Sequence, residues 1–131
     1  MGEYIDFAKV GRQGDALSLE EVLDGQIARE FAIGVLHVQE VEHPSIRSSH
    51  VVFPNSEITL GRLTSNDVIT YNSYSSRKHA TVYSDLHQVY VKDLSSLNGT
   101  YLNGKLVDSI RQLQNGDVLE LGSSKVTFKR L

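Results

Sequence analysis

The chain has 131 residues, of which 40% are hydrophobic, enough for one domain around one core. Thirteen basic against sixteen acidic side chains leave a formal charge of −3. That argues against bulk nucleic-acid binding, where a basic field supplies the affinity, without forbidding a small cationic pocket. Cysteine is absent, so disulfides and thiolate metal sites are excluded, and no apolar run approaches the roughly 18 residues of a membrane span.

In chain order, residues 1–30 read as an irregular leader with a short helix. Gly2, Gly11 and Gly14 sit among charged residues, while Ser18-Leu19-Glu20-Glu21 fits a capping box. Leu19, Val22, Leu23 and Ile27 follow at helical spacing, weakened by Gly25. No basic segment followed by an apolar one marks a secretory signal, and Asp6 stands where myristoylation after Met1-Gly2 wants Ser or Thr. An intracellular protein is expected.

From Phe31 onward the pattern changes to strands. Over residues 31–41, Ile33, Val35 and Val41 share one face and Leu36 and Val38 the other. The stretch 42–55, bordered by Pro44 and Pro54, is polar and reads as a loop or a sheet edge. Ile58-Thr59-Leu60 is strand-like, and residues 79–83, 87–92, 117–121 and 125–131 alternate. Asn98-Gly99, Asn103-Gly104 and Asn115-Gly116 are turn signals of the hairpin kind. Together these predict an all-β domain over residues 31–131, an antiparallel β-sandwich of about ten to eleven strands.

Four segments carry chemistry: Gly61-Arg62, Ser76-Arg77-Lys78-His79, the run Asp93 to Thr100 containing Asn98-Gly99, and Asn103-Gly104. A phosphorylated threonine offers a charge near −2 and three acceptor oxygens. It asks for donors in fixed geometry on loops held by a rigid scaffold. Arg62, at a strand end, can present a planar fork to phosphate oxygens. Ser76 can donate a hydroxyl hydrogen bond, Arg77 can add a second cation, and the Asn98 amide can donate and accept as a peptide group does.

The order and spacing of these segments resemble the forkhead-associated (FHA) family over about residues 31–131. The resemblance implies a β-sandwich that binds phosphothreonine peptides and is not itself an enzyme. Residue by residue, Arg62 and Ser76 resemble the family's phosphate-binding arginine and serine, and Arg77 the adjacent helper. Asn98 resembles the asparagine that pairs with the ligand backbone, and Gly61, His79, Gly99 and Asn103 resemble scaffold positions. Tyr74 and Leu97 are the candidates for selecting the residue three beyond the phosphothreonine. No cofactor, metal, nucleic acid or membrane is implied. The partner is a phosphothreonine-containing protein or peptide, with phosphorylation-dependent self-association as a further expectation. The family also suggests the N-terminal domain of a checkpoint-type kinase or another nuclear signalling protein in DNA-damage or cell-cycle control. The chain stops on strand-like Phe128-Lys129-Arg130-Leu131, as a domain excised from a longer protein would.

Each residue has a plainer alternative. Arg62 could be a solvated strand-end charge, Ser76 a turn residue bonded to its own backbone, and Asn98 a residue chosen only for positive φ. His79 reads better as a histidine bridging loops than as a catalyst. If a strand starts at Arg77, then Arg77 and Lys78 point to opposite faces and only one is a ligand; Arg77 is the choice. Asp67 is near enough in sequence to pair with Arg62. Two other functions compete: a hydrolase using Ser76, His79 and Asp93, for which no oxyanion element or nucleophile elbow is visible, and a phosphate-independent interaction or oligomerisation module.

Overall fold

The computed structural model describes residues 31–131; the predicted leader and its helix lie outside the described residues. Among the described residues, eleven strands form two sheets. The first sheet has six strands, β1 (Gly34–Glu40), β2 (Arg47–Val52), β7 (Thr100–Leu102), β8 (Lys105–Leu106), β10 (Val118–Leu121) and β11 (Ser124–Arg130), in the order β2-β1-β11-β10-β7-β8. The second has five, β3 (Glu57–Gly61), β4 (Val68–Ile69), β5 (Ala80–Ser84), β6 (Val89–Asp93) and β9 (Arg111–Gln112), in the order β4-β3-β5-β6-β9. All pairings are antiparallel except the short β3–β4 pair. The sandwich matches the predicted class.

The core follows from alternation. Leu36 and Val38 of β1 face inward opposite Phe128 and Val126 of β11, and Val82 of β5 lies between Ile58 and Val91. Leu36, Leu60, Val82, Leu121 and Phe128 are all at most 1% exposed. Of the two predicted faces of residues 31–41, the one with Leu36 and Val38 is the buried one, and Val41 is exposed. The inward face ends on a buried carboxylate, Glu40.

Of the two readings of residues 42–55, loop or sheet edge, the edge holds for Arg47–Val52: it is β2, which pairs with β1 (Val38↔Ser48) at the edge of its sheet. Its start, Arg47-Ser48-Ser49-His50, is polar, which an edge strand tolerates. One expectation needs correction: the three Asn-Gly signals are not alike. Only Asn103-Gly104 closes a two-residue hairpin, β7–β8, with positive φ at both residues (50° and 84°). Asn98-Gly99 and Asn115-Gly116 instead carry the chain from one sheet to the other, between β6 and β7 and between β9 and β10.

Candidate functional site

The site lies at one end of the sandwich, where the β3–β4, β4–β5 and β6–β7 loops meet. At Gly61, the last residue of β3, the chain beside it comes too close for any side chain. A Cβ there would stand 2.2 Å from the Arg77 carbonyl oxygen and 2.8 Å from the Asn66 side-chain nitrogen. This approach lets the Arg62 N–H donate to Ser76 O (3.0 Å) and the Leu63 N–H to Arg77 O (3.2 Å). The Arg62 guanidinium is then aimed by one bond, Nε to Ser75 O at 3.1 Å. No hydrogen bond among the described residues takes its two Nη groups, so the fork keeps its outer donors.

His79 is fully buried and locks two loops together. Its Nδ1 accepts the Ser76 N–H (2.9 Å) and its Nε2 lies 2.9 Å from Gly99 O. The first partner can only donate and the second can only accept, which assigns the neutral ring with its proton on Nε2. Its backbone is tied as well, His79 N to Leu60 O and Leu94 N to His79 O. The ring addresses the Ser76 main chain and not its hydroxyl. The Ser76 Oγ accepts the Leu97 N–H (2.9 Å), which leaves its proton free to point at a ligand oxygen. Asp93 turns to Ser96 and Thr100. The three residues of the hydrolase reading therefore form no nucleophile–base–carboxylate relay.

Asn98 is exposed and donates from Nδ2 to Tyr74 O at 2.8 Å, joining the β6–β7 loop to the β4–β5 loop. The positive φ falls on Gly99 (86°) and not on Asn98, so Asn98 is not there to supply a left-handed backbone. Its amide oxygen and second proton have no hydrogen-bond partner among the described residues and suit the N–H and C=O of a passing strand. Gly99 and Asn103 have scaffold positions: Asn103 donates to Asp117 Oδ1 and accepts the Val118 N–H, both at 2.9 Å.

Arg62, Tyr74, Ser76, Arg77, Leu97 and Asn98, all predicted, line one shallow cavity of about 370 Å³, with Ser73, Ser75 and Lys78 added. Three cations line it and no carboxylate does. Tyr74 is 56% and Leu97 88% exposed on its rim. The choice between Arg77 and Lys78 rested on a strand starting at Arg77. β5 begins only at Ala80, so the opposite-face argument does not apply and both side chains border the cavity. Asp67 has a structural task, accepting the N–H (2.9 Å) and hydroxyl (3.2 Å) of Thr59 with one carboxylate oxygen.

The β6–β7 loop is shaped by Asp93. Burial pushes its pKa up, but the Ser96 and Thr100 hydroxyls and the Ser96 N–H outweigh that and hold it below the ordinary 3.8. Sequence reasoning missed four residues that shape the pocket from behind: Asn66, Asn72, Ser75 and Glu40. Asn66 Nδ2 donates to Leu63 O and Arg77 O. Asn72 Oδ1 caps the N–H groups of Tyr74 and Ser75. The run Asn72-Ser73-Tyr74-Ser75 was a readable Asx-turn signal; Glu40 sent none, because its partners, Ser124 on the paired strand β11 and the Tyr71 N–H of the other sheet, are all distant in sequence.

Residues 58–122 match the profile of the FHA domain. The chain is 33% identical over 75 residues to an ABC transporter ATP-binding/permease protein of Mycobacterium tuberculosis, a match spanning 57% of this chain and 9% of that one. It is 37% identical over 68 residues to the glycogen accumulation regulator GarA of the same organism, spanning 52% of this chain and 41% of GarA. The chain thus spans less than half the length of these curated relatives. Among solved structures, the MEK1 FHA domain in complex with a HOP1 phosphothreonine peptide superposes with a TM-score of 0.58 at 28% identity, covering 72% of this chain and 95% of that one.

Proposed function

We propose that this chain, which belongs to the forkhead-associated family, uses residues 31–131 as a module that binds phosphothreonine peptides in phosphorylation-dependent signalling. The observation that carries the site assignment is the single cavity bordered by Arg62, Arg77 and Lys78, the Ser76 hydroxyl and the Asn98 amide, with no carboxylate in its lining. Arg62 takes two phosphate oxygens with its outer fork, Ser76 donates its hydroxyl, and Arg77 or Lys78 balances the second charge. Asn98 pairs with the ligand main chain beside the phosphothreonine, so the phosphate is read together with the extended segment that bears it. Tyr74 and Leu97 then meet the side chains that follow.

The magnitudes suffice. A hydrogen bond to a charged group contributes about 1.5–3 kcal/mol net, and three or four of them reach the roughly 8 kcal/mol of micromolar binding. Titrating phosphorylated and unphosphorylated forms of one threonine peptide tests the reading: saturable binding of the first alone is expected, and equal binding of both would sink it.

The checkpoint, cell-cycle and nuclear setting implied by the resemblance gains no support, since the curated relatives named above are bacterial and bacteria have no nucleus. GarA is a regulator and the other relative a transporter component; by analogy the module serves a larger protein whose own activity is a separate question. Among the described residues no helix is long and apolar enough to cross a membrane.

A further inference from the structure

Glu40 is the odd residue of the core. It follows Leu36 and Val38 on the inward face of β1, is 2% exposed, and stands where an aliphatic side chain would pack. A buried carboxylate is costly unless hydrogen-bonded, and one retained in a core is weak support for stability. Its partners show where it acts. The Ser124 hydroxyl, itself 1% exposed, lies 2.7 Å from both carboxylate oxygens, and one of them accepts the Tyr71 N–H at 2.9 Å. Tyr71 lies near the start of the β4–β5 loop, which belongs to the opposite sheet.

Asn72 completes the link. Its Nδ2 reaches Ser124 Oγ (2.8 Å) and Leu121 O (3.3 Å) on the first sheet. Its Oδ1 accepts the N–H groups of Tyr74 (3.0 Å) and Ser75 (2.9 Å) within the loop. Those two residues carry the carbonyls that aim the ligand-facing groups: Tyr74 O accepts Asn98, and Ser75 O accepts Arg62 Nε. The Ser75 hydroxyl donates to Asn72 O (3.1 Å) and lies 2.6 Å from the Thr70 hydroxyl, holding the turn from its inner side. Gly122, between β10 and β11, leaves the space: at φ 61°, a Cβ there would sit 2.3 Å from Asn72 Oδ1 and 2.9 Å from Ser75 N.

We infer that Glu40, Ser124 and Asn72 are positioning residues for phosphopeptide capture, a buried polar relay that anchors the β4–β5 loop to the opposite sheet and so sets the aim of Arg62 and Asn98. This rests on the reading of the Arg62 cavity as the phosphate site. None of the three lines that cavity; they act through the carbonyls of Tyr74 and Ser75. A preformed site avoids the ordering cost that a mobile loop adds to binding.

The test uses the full chain, a degenerate phosphothreonine peptide pool as the binding probe, and the Arg62 Nε–H nuclear magnetic resonance of the ligand-free protein as a second readout. Asn72→Ala should lower affinity for the pool about tenfold, the effect of one charge-assisted bond, and should move the Arg62 Nε–H resonance and speed its exchange. Asn72→Ser keeps a side-chain oxygen for the local turn but cannot span to Ser124, so it should fall between Ala and wild type. Ser124→Ala, which breaks the relay from the other sheet, should reproduce the effect; should Asn72→Ala fail to fold, Ser124→Ala and Asn72→Ser decide. Folded relay variants that bind within twofold of wild type with an unmoved resonance would overturn the inference. If Arg62→Ala itself binds the pool like wild type, the pocket reading fails, while the resonance still reports whether the relay aims Arg62. If Arg62→Ala loses binding and the relay variants do not, the relay alone is wrong.

Discussion

At the end of the sandwich remote from the cavity, the β5–β6 hairpin satisfies itself. Asp85 accepts the N–H groups of His87 and Gln88 and the hydroxyl of Tyr90. Those bonds, Gln88 first and His87 next, hold its pKa below the ordinary carboxylate value. Arg130, at the same end, is bonded to the His87 carbonyl, and Asn115 accepts the Arg130 N–H. At the cavity end the side chains instead tie one loop to another: His79 to Gly99, Ser76 to Leu97, Asn98 to Tyr74, Asn72 to Ser124. The cations of that end, Arg77 and Lys78, pair with no carboxylate among the described residues. The contrast separates two uses of polar groups. At the β5–β6 turn, which only has to reverse the chain, the Asp85 charge is met locally by its own turn. Where loops must meet a ligand, polar groups fix the loops' mutual position and the cations are left over.

If the contrast is right, substitutions at the two ends should separate binding from stability. The largest effect belongs to Arg62→Ala: affinity for a phosphothreonine peptide should fall at least about a hundredfold, as the loss of two charge-assisted bonds implies, with an unchanged melting temperature. Calorimetric titration and a thermal melt measure both; a large loss of stability would mean that Arg62 is structural. Asn98→Ala removes one loop-to-loop bond and one ligand contact, and should weaken phosphopeptide binding about tenfold, roughly 1.4 kcal/mol, with little change in melting.

The third prediction concerns acid. Because the folded pKa of Asp93 lies below its unfolded value, the carboxylate adds stability that is fully present above about pH 4 and is lost as pH falls towards the folded pKa. Melting temperature followed from pH 6 to pH 2 should therefore drop more steeply for wild type than for Asp93→Asn. The smallest effect belongs to Asp85→Asn at the remote end, where the group is exposed and its partners are local. It should lower the melting temperature slightly and leave phosphopeptide affinity unchanged; a change in affinity there would break the division between the two ends.

Much of this molecule was legible before folding. Alternation at Leu36-Val38, Val89-Val91 and Val126-Phe128 placed strands, because a strand has period 2; over residues 31–41 it left two apolar faces, and only the packed sheet shows that Leu36 and Val38 are the inward pair. The order Gly61-Arg62, Ser76, Asn98 picked out side chains that the fold brings to one cavity, because their chemistry is local to each side chain. Residues 47–50 stayed open between loop and sheet edge because a polar edge strand and a loop have the same composition. The tie of His79 to Gly99 could be guessed in kind but not in partner.

By itself, then, the amino-acid sequence determined which side chains could hold a phosphorylated threonine and that they ride on a β scaffold. Only the tertiary structure decided how they are aimed: that Arg77 and Lys78 border the same cavity, that the positive φ sits on Gly99 and not Asn98, and that Glu40 and Ser124 of one sheet steady a loop of the other. The reason is physical: donor chemistry and period-2 burial depend on a residue and its near neighbours, whereas aim depends on bonds such as Ser124 to Glu40, 84 positions apart, which no local pattern encodes.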